Sequence, residues 1–298
     1  MAHEIRDCIA PNRHPNKPNI TLPKGAIDTH VHVFEDKYWL SPDRGYNPPE
    51  STLDDLKHLH ATLGVDRVVF TQPSPYGTDN SAIIDGAKAL NAETPGRAKM
   101  VVAVGADVTE EQIAEFDAIG ACGVRLNTDN KGGMPIEFSE IPDLEAKLKP
   151  FNWHIEWLFP GKDILSLMTY FKKMTCPMSI GHFAYQKATD GIDAPGFKAL
   201  LELVEAGNTW VKISGANRVS ETDLPPYDDV LPMAQALINA NASRIMWGTD
   251  WPHPNKYEVN PNDGDLANAF GEWVADEAMR KRIMVDNPES FYNFPTQT

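Results

Sequence analysis

The run Ile27-Asp28-Thr29-His30-Val31-His32 sets two imidazoles two residues apart among apolar and β-branched neighbours. In a strand, alternate side chains share a face, so His30 and His32 converge on one spot. Neutral histidines there can ligate a divalent metal, and charged ones can donate to an oxyanion. A bare His-X-His fits two histidines on an exposed strand edge equally well. The other end of the chain shifts the balance. Its last strong strand signal runs into Gly248-Thr249-Asp250-Trp251-Pro252-His253-Pro254-Asn255. In a closed barrel, that strand would return the Asp250 carboxylate to the side of the first.

The elements between support such closure. Short apolar, β-branched runs recur at Ala26–Val33, Arg67–Gln72, Met100–Gly105, Gly123–Asn127, His154–Phe159, Met178–Phe183, Trp210–Ser214 and Arg244–Thr249. Each pair is separated by enough chain for a return helix, the rhythm of a parallel sheet. Eight such strands close a TIM barrel. Leucines at 53, 56, 59 and 63 predict a helix over Leu53–Leu63, with Ser51 as cap and Gly64 as stop. Thr109 and Gln112 form a capping box ahead of Ile113–Ile119. Helical spacing also covers Ile164–Lys173, Phe197–Glu205 and Leu231–Asn241. No linker divides the chain. The expected fold class is α/β, a single (β/α)8 TIM barrel over residues 25–298 preceded by an N-terminal arm, residues 1–24.

A barrel of this kind binds substrate at the C-terminal ends of its strands. The polar residues there are His30 and His32, then Gln72, Ser74 and Tyr76, then Arg125 and Asn127, His182, Ser214 with Arg218, and Asp250. His154 instead opens its strand, at the stability end of a barrel, and reads as structural. Glu156 has no role assigned from sequence.

A net charge of −15 without a basic run argues against nucleic acid. Local charge can still hold a small anion. Cys8, Cys122 and Cys176 are odd in number and lack Cys-X-X-Cys spacing, which argues for reduced, buried thiols. The first residues carry charges at Glu4, Arg6 and Asp7 and no apolar export core. No apolar run approaches the roughly 18 residues of a membrane helix. A cytoplasmic protein with no membrane partner is expected; the sequence does not decide whether it forms a homodimer.

His30, His32, His182 and Asp250, on the first, sixth and eighth strands, resemble the amidohydrolase superfamily. More narrowly, Gly25–Phe34, Tyr46 with Pro48, Gly77-Thr78-Asp79-Asn80, Val124-Arg125-Leu126-Asn127 and Trp247–Asn255 resemble the 2-pyrone-4,6-dicarboxylate lactonase family, in order over nearly the whole chain. The metal-rich branches carry a bridging lysine on the fourth strand and a histidine ending the fifth. Arg125 and the run His154–Phe159 stand in those places. The resemblance therefore implies one divalent ion at most, zinc or manganese, held by His30, His32, His182 and Asp250, or none. It also implies a second arginine where Lys131 stands and a late fifth-strand tyrosine where Leu158 falls.

The implied activity is a carboxylic ester hydrolase opening an anionic lactone, with a pyrone dicarboxylate or a muconolactone-type product of aromatic degradation as substrate. Asp250 would take a proton from water and return it to the leaving oxygen. His30, His32 and His182 would surround the carbonyl oxygen, directly or through one metal. Arg125, Arg218 and Lys131 would bind acidic groups, since arginine's planar fork suits a carboxylate or sulfonate. Tyr46, Ser74, Tyr76 and Asn127 are further contact candidates, and Trp251 and His253 would shape the mouth. Competing readings are a sugar lactonase or lactone isomerase, a metal-dependent decarboxylase of the same superfamily, and a catalytically silent binding barrel. Four converging polar groups argue against the last.

Overall fold

The computed structural model describes residues 5–295. The first four residues of the expected arm, and residues 296–298, lie outside them. Eight parallel strands form one sheet in simple sequential order. They are β1 (Ile27–Val31), β2 (Arg67–Thr71), β3 (Ala98–Val102), β4 (Ala121–Asn127), β5 (His154–Leu158), β6 (Met178–Ile180), β7 (Thr209–Lys212) and β8 (Ile245–Met246). Each falls on an expected segment. Backbone bonds from Thr29 N to Trp247 O (3.3 Å), His32 N to Trp251 O (2.9 Å) and Asp250 N to His30 O (2.9 Å) bring the last strand back to the first. Asp28 ties the same seam with its side chain, accepting from Thr249 N (2.9 Å) and Thr249 Oγ1 (2.6 Å).

Helices Leu53–Leu63, Ser81–Glu93, Glu110–Ala118, Ile141–Leu148, Ile164–Phe171, Pro195–Ala206, Leu231–Asn241 and Asp263–Trp273 pack around the strands. The first is capped by Thr52 rather than Ser51. Thr52 and Asp55 complete a reciprocal capping box, which a serine one residue earlier is out of register to make. Thr109 and Gln112 cap the third helix as expected, and Gly64 ends the first in a left-handed conformation at φ 81°. Among the described residues no helix is long and apolar enough to cross a membrane.

The floor of the barrel is apolar. Ile27, Val69, Val101, Cys122 and Met246 meet Tyr292 and Phe294 from the C-terminal segment. Strict alternation from Ile27 would send His30, three residues on, to the opposite face. A register shift between Asp28 and Val31 restores it to the interior, the re-aiming that bulges commonly perform beside active sites. The three cysteines are buried and free. His154 is buried against Phe291 and Tyr292, with ring centroids 4.4 and 5.3 Å apart, well below the strand ends.

Candidate active site

Four residues from three parts of the barrel meet above this floor. His30 Nε2 lies 3.8 Å and His182 Nε2 3.5 Å from Asp250 Oδ1. The His30 ring is 4.9 Å from that of His32 and 4.7 Å from that of His182, all edge-on. All four residues are buried. Asp250 takes a left-handed backbone (φ 65°), and His182, Phe183, Ala184 and Tyr185 form an unbroken left-handed turn with φ between 51° and 54°. The sequence reading extended β6 through Phe183. The strand ends at Ile180 because this turn folds back, stacking the Tyr185 ring on His182 at 5.7 Å.

What lies behind each imidazole sets what it presents in front. His32 Nδ1 is 2.7 Å from Thr71 O, a carbonyl that only accepts, so the proton is on Nδ1 and Nε2 keeps a lone pair. His182 Nδ1 meets the Ser214 hydroxyl at 3.0 Å. His30 Nδ1 faces the buried ammonium of Lys212 at 3.2 Å. Lys212 also donates to Thr29 O (2.8 Å) and contacts the Glu156 carboxylate. Burial, with Arg125 second, lowers His32 to about 3, and burial lowers His182 to about 4 despite Asp250. All three rings are therefore neutral near pH 7. For Asp250, burial alone would raise the carboxyl. The Arg218 guanidinium on its Oδ2 outweighs it and holds the group well below the usual carboxylate range.

The spacing of His30, His32 and Asp250, with donor atoms within 4.8 Å of one another, suits a single divalent ion. The donor set fits it less well. The Lys212 ammonium behind His30 calls for a lone pair on Nδ1, which would turn an N–H rather than a lone pair to the centre. Asp250 Oδ2 accepts from Arg218 Nε at 2.5 Å, so a guanidinium already holds that oxygen.

Arg125 and Arg218 flank this centre. Arg125 Nη1 donates to Gln72 O (2.8 Å), while its Nε is buried without a partner. Among the described residues no carboxylate lies within ion-pair distance of Arg125. The chamber lined by His32, Tyr46, Arg125, Asn127, His182, Tyr185, Arg218 and Asp250 holds only about 20 Å³ of free space. Outside it opens a cleft of about 1070 Å³, sharing Tyr185, Arg218 and Asn255 as the neck between them. Ser74 borders a smaller hollow beside Arg125 and Asn127.

Besides Ser74 and His30, which do not line the chamber either, three candidates lie off its wall. Lys131 is exposed and pairs with Asp43 at 3.6 Å. Tyr76 packs between Phe34 and Tyr38, its hydroxyl near Glu35 N. His253 is buried on Asp263 at 3.1 Å, bracing the loop after β8. Conversely, Lys212, Glu156 and Tyr185 went unassigned. A lysine inside Thr-Trp-Val-Lys shows nothing in sequence to separate it from a solvent-facing one. Glu156 is in register with Arg125 across β4 and β5, but the sequence shows no partner that would give it meaning.

A family model described as Amidohydrolase matches residues 27–294. The chain belongs to the amidohydrolase family. This amidohydrolase is 35% identical to a 4-sulfomuconolactone hydrolase of Hydrogenophaga intermedia, over 96% of this chain and 94% of that one. It is 29% identical to a 2-pyrone-4,6-dicarboxylate hydrolase of Comamonas testosteroni, with 93% of each covered. Among solved structures, an apo protein of Agrobacterium tumefaciens superposes with a TM-score of 0.80 at 30% identity, covering 94% of this chain and all of the other. The barrel fold is thus shared with that structure.

Proposed function

We propose that this amidohydrolase adds water across the ester bond of a lactone bearing at least one further acidic group, of the pyrone dicarboxylate or muconolactone type. The observation that carries the reading is Arg125, a buried guanidinium without a carboxylate partner, on the wall of a chamber that also contains Asp250. A buried charge is costly unless something pairs with it, and an acidic group on the substrate supplies the partner. The relatives named for anionic lactones point the same way.

In the proposed reaction Asp250 takes a proton from water as the oxygen attacks the lactone carbonyl. His30 donates to the oxyanion that forms. The bond to the ring oxygen then breaks, and Asp250 returns the proton to that oxygen, leaving a hydroxyl and a carboxylic acid on the opened chain, the acid releasing its proton to solvent. Arg218 connects binding to chemistry. Bound to Asp250 alone, it holds the carboxylate as a weak base; an acidic substrate group sharing the guanidinium loosens that hold. The test is a panel of anionic and neutral lactones with product analysis by mass. Turnover of anionic lactones with a gain of 18 Da, about one water, supports hydrolysis. An isomeric product of unchanged mass, or preference for a neutral sugar lactone, overturns it in favour of the isomerase or sugar-lactonase chemistry expected as the alternative.

A further inference from the structure

Beneath the imidazoles lies a buried ion pair that the reaction above does not touch. Lys212 and Glu156 are 0% and 1% exposed, beneath the imidazoles and above the apolar floor. An ammonium has three protons and no lone pair. Lys212 has three acceptors in reach: Thr29 O, the Glu156 carboxylate and His30 Nδ1. If His30 carried its proton on Nδ1, one Lys212 proton would point at another N–H in a buried site, at the cost of an unsatisfied donor. Glu156 Oε1 lies 3.3 Å from the same nitrogen and is the one group that competes with Lys212 for it.

From this arrangement, and resting on the hydrolytic reading, we infer that Lys212 is a positioning residue that fixes His30 as the Nε2–H tautomer, making it an oxyanion donor and depriving a divalent ion of one ligand. The two halves of the His-X-His pair are then opposite in kind. His32, backed by a carbonyl, presents a lone pair; His30, backed by an ammonium, presents a proton. The same geometry says what removal of Lys212 does. With the ammonium gone, Glu156 is the remaining polar partner for His30 Nδ1. A proton drawn to Nδ1 leaves a lone pair on Nε2, the carboxylate–histidine arrangement characteristic of metal sites.

The experiment uses the full chain labelled with ¹⁵N-histidine and stripped with chelator, with the His30 signals assigned by their loss in His30→Gln. In the wild type, His30 Nε2 should resonate as a protonated nitrogen and Nδ1 as an acceptor, and in Lys212→Met the two should exchange. Titration with zinc alone should show Lys212→Met binding one equivalent about 10- to 100-fold more tightly than wild type, the range over which such outer partners act. The double variant Lys212→Met/Glu156→Gln removes both charges together and keeps the zinc comparison available if the single variant fails to fold. An unprotonated His30 Nε2 in the wild type overturns the inference by itself, as does equal zinc affinity in wild type and the folded variants. Because tautomer and zinc are read without substrate, they stand apart from the lactone panel: a protein that turns over no lactone can still show the exchange.

Discussion

Asp250 works under a restraint that the other residues of the site impose on it. One oxygen is held by Arg218, and the other faces His30 and His182. Replacing it by Asn keeps size and most hydrogen bonds, so folding should persist while kcat falls at least about 100-fold, the usual loss for a general base; near-normal turnover in a folded variant removes Asp250 from the mechanism. For the arginines, exchange of Arg125 or Arg218 for Met should cost about 2–4 kcal/mol in kcat/KM on an anionic lactone and far less on a neutral one. Equal losses on both substrates would show that the arginines hold structure rather than charge. The residues proposed to act on substrate were legible because histidine, aspartate and arginine at strand ends are hard to explain otherwise. Lys212 was not, since its meaning comes from His30 and Glu156, which meet it only once three distant strands are in register.

At the level of elements, β-branched runs betrayed all eight strands, whereas their ends and the turns beyond depended on contacts that no local pattern encodes. The turn His182–Tyr185 is the sharpest instance. Four consecutive non-glycine residues in the left-handed region cost about 1–2 kcal/mol each, and nothing in His-Phe-Ala-Tyr advertises it. Packing around the turn must offset that strain, and Gly215 is part of the arrangement. It has a φ of 63°, and a Cβ there would lie 2.7 Å from His182 Nδ1. Gly215→Ala should therefore lower stability by about 1–2 kcal/mol from backbone strain and cut kcat more than KM by displacing His182 from Ser214. Urea unfolding and steady-state kinetics on the same preparation check both; an alanine variant with wild-type values would mean the turn gives way freely.

For the molecule as a whole, burying histidines as neutral rings links folding to pH. His32 (about 3), His182 (about 4) and His154 (about 4) are all lowered, chiefly by burial, from roughly 6.5 in an unfolded chain. Their stabilising effect is complete above that value. Between it and the folded values unfolding takes up protons, so stability must fall as pH falls. These three groups, with His30 lowered alongside them, give a slope of at least about 4 kcal/mol per pH unit at its steepest. Urea midpoints measured from pH 7.5 to 5 should drop accordingly, and a flat series would show that these rings titrate normally. The seam of the barrel carries a different consequence. Asp28 and Thr249, whose bonds bind its two edges, stand 221 positions apart, and His30 and Asp250 meet across the same join. A ribosome making this chain releases His30 early into a sheet with an open edge, and no partial product that stops short of Asp250 contains the centre. Activity during synthesis should therefore arise in one step, after β8 has left the exit tunnel.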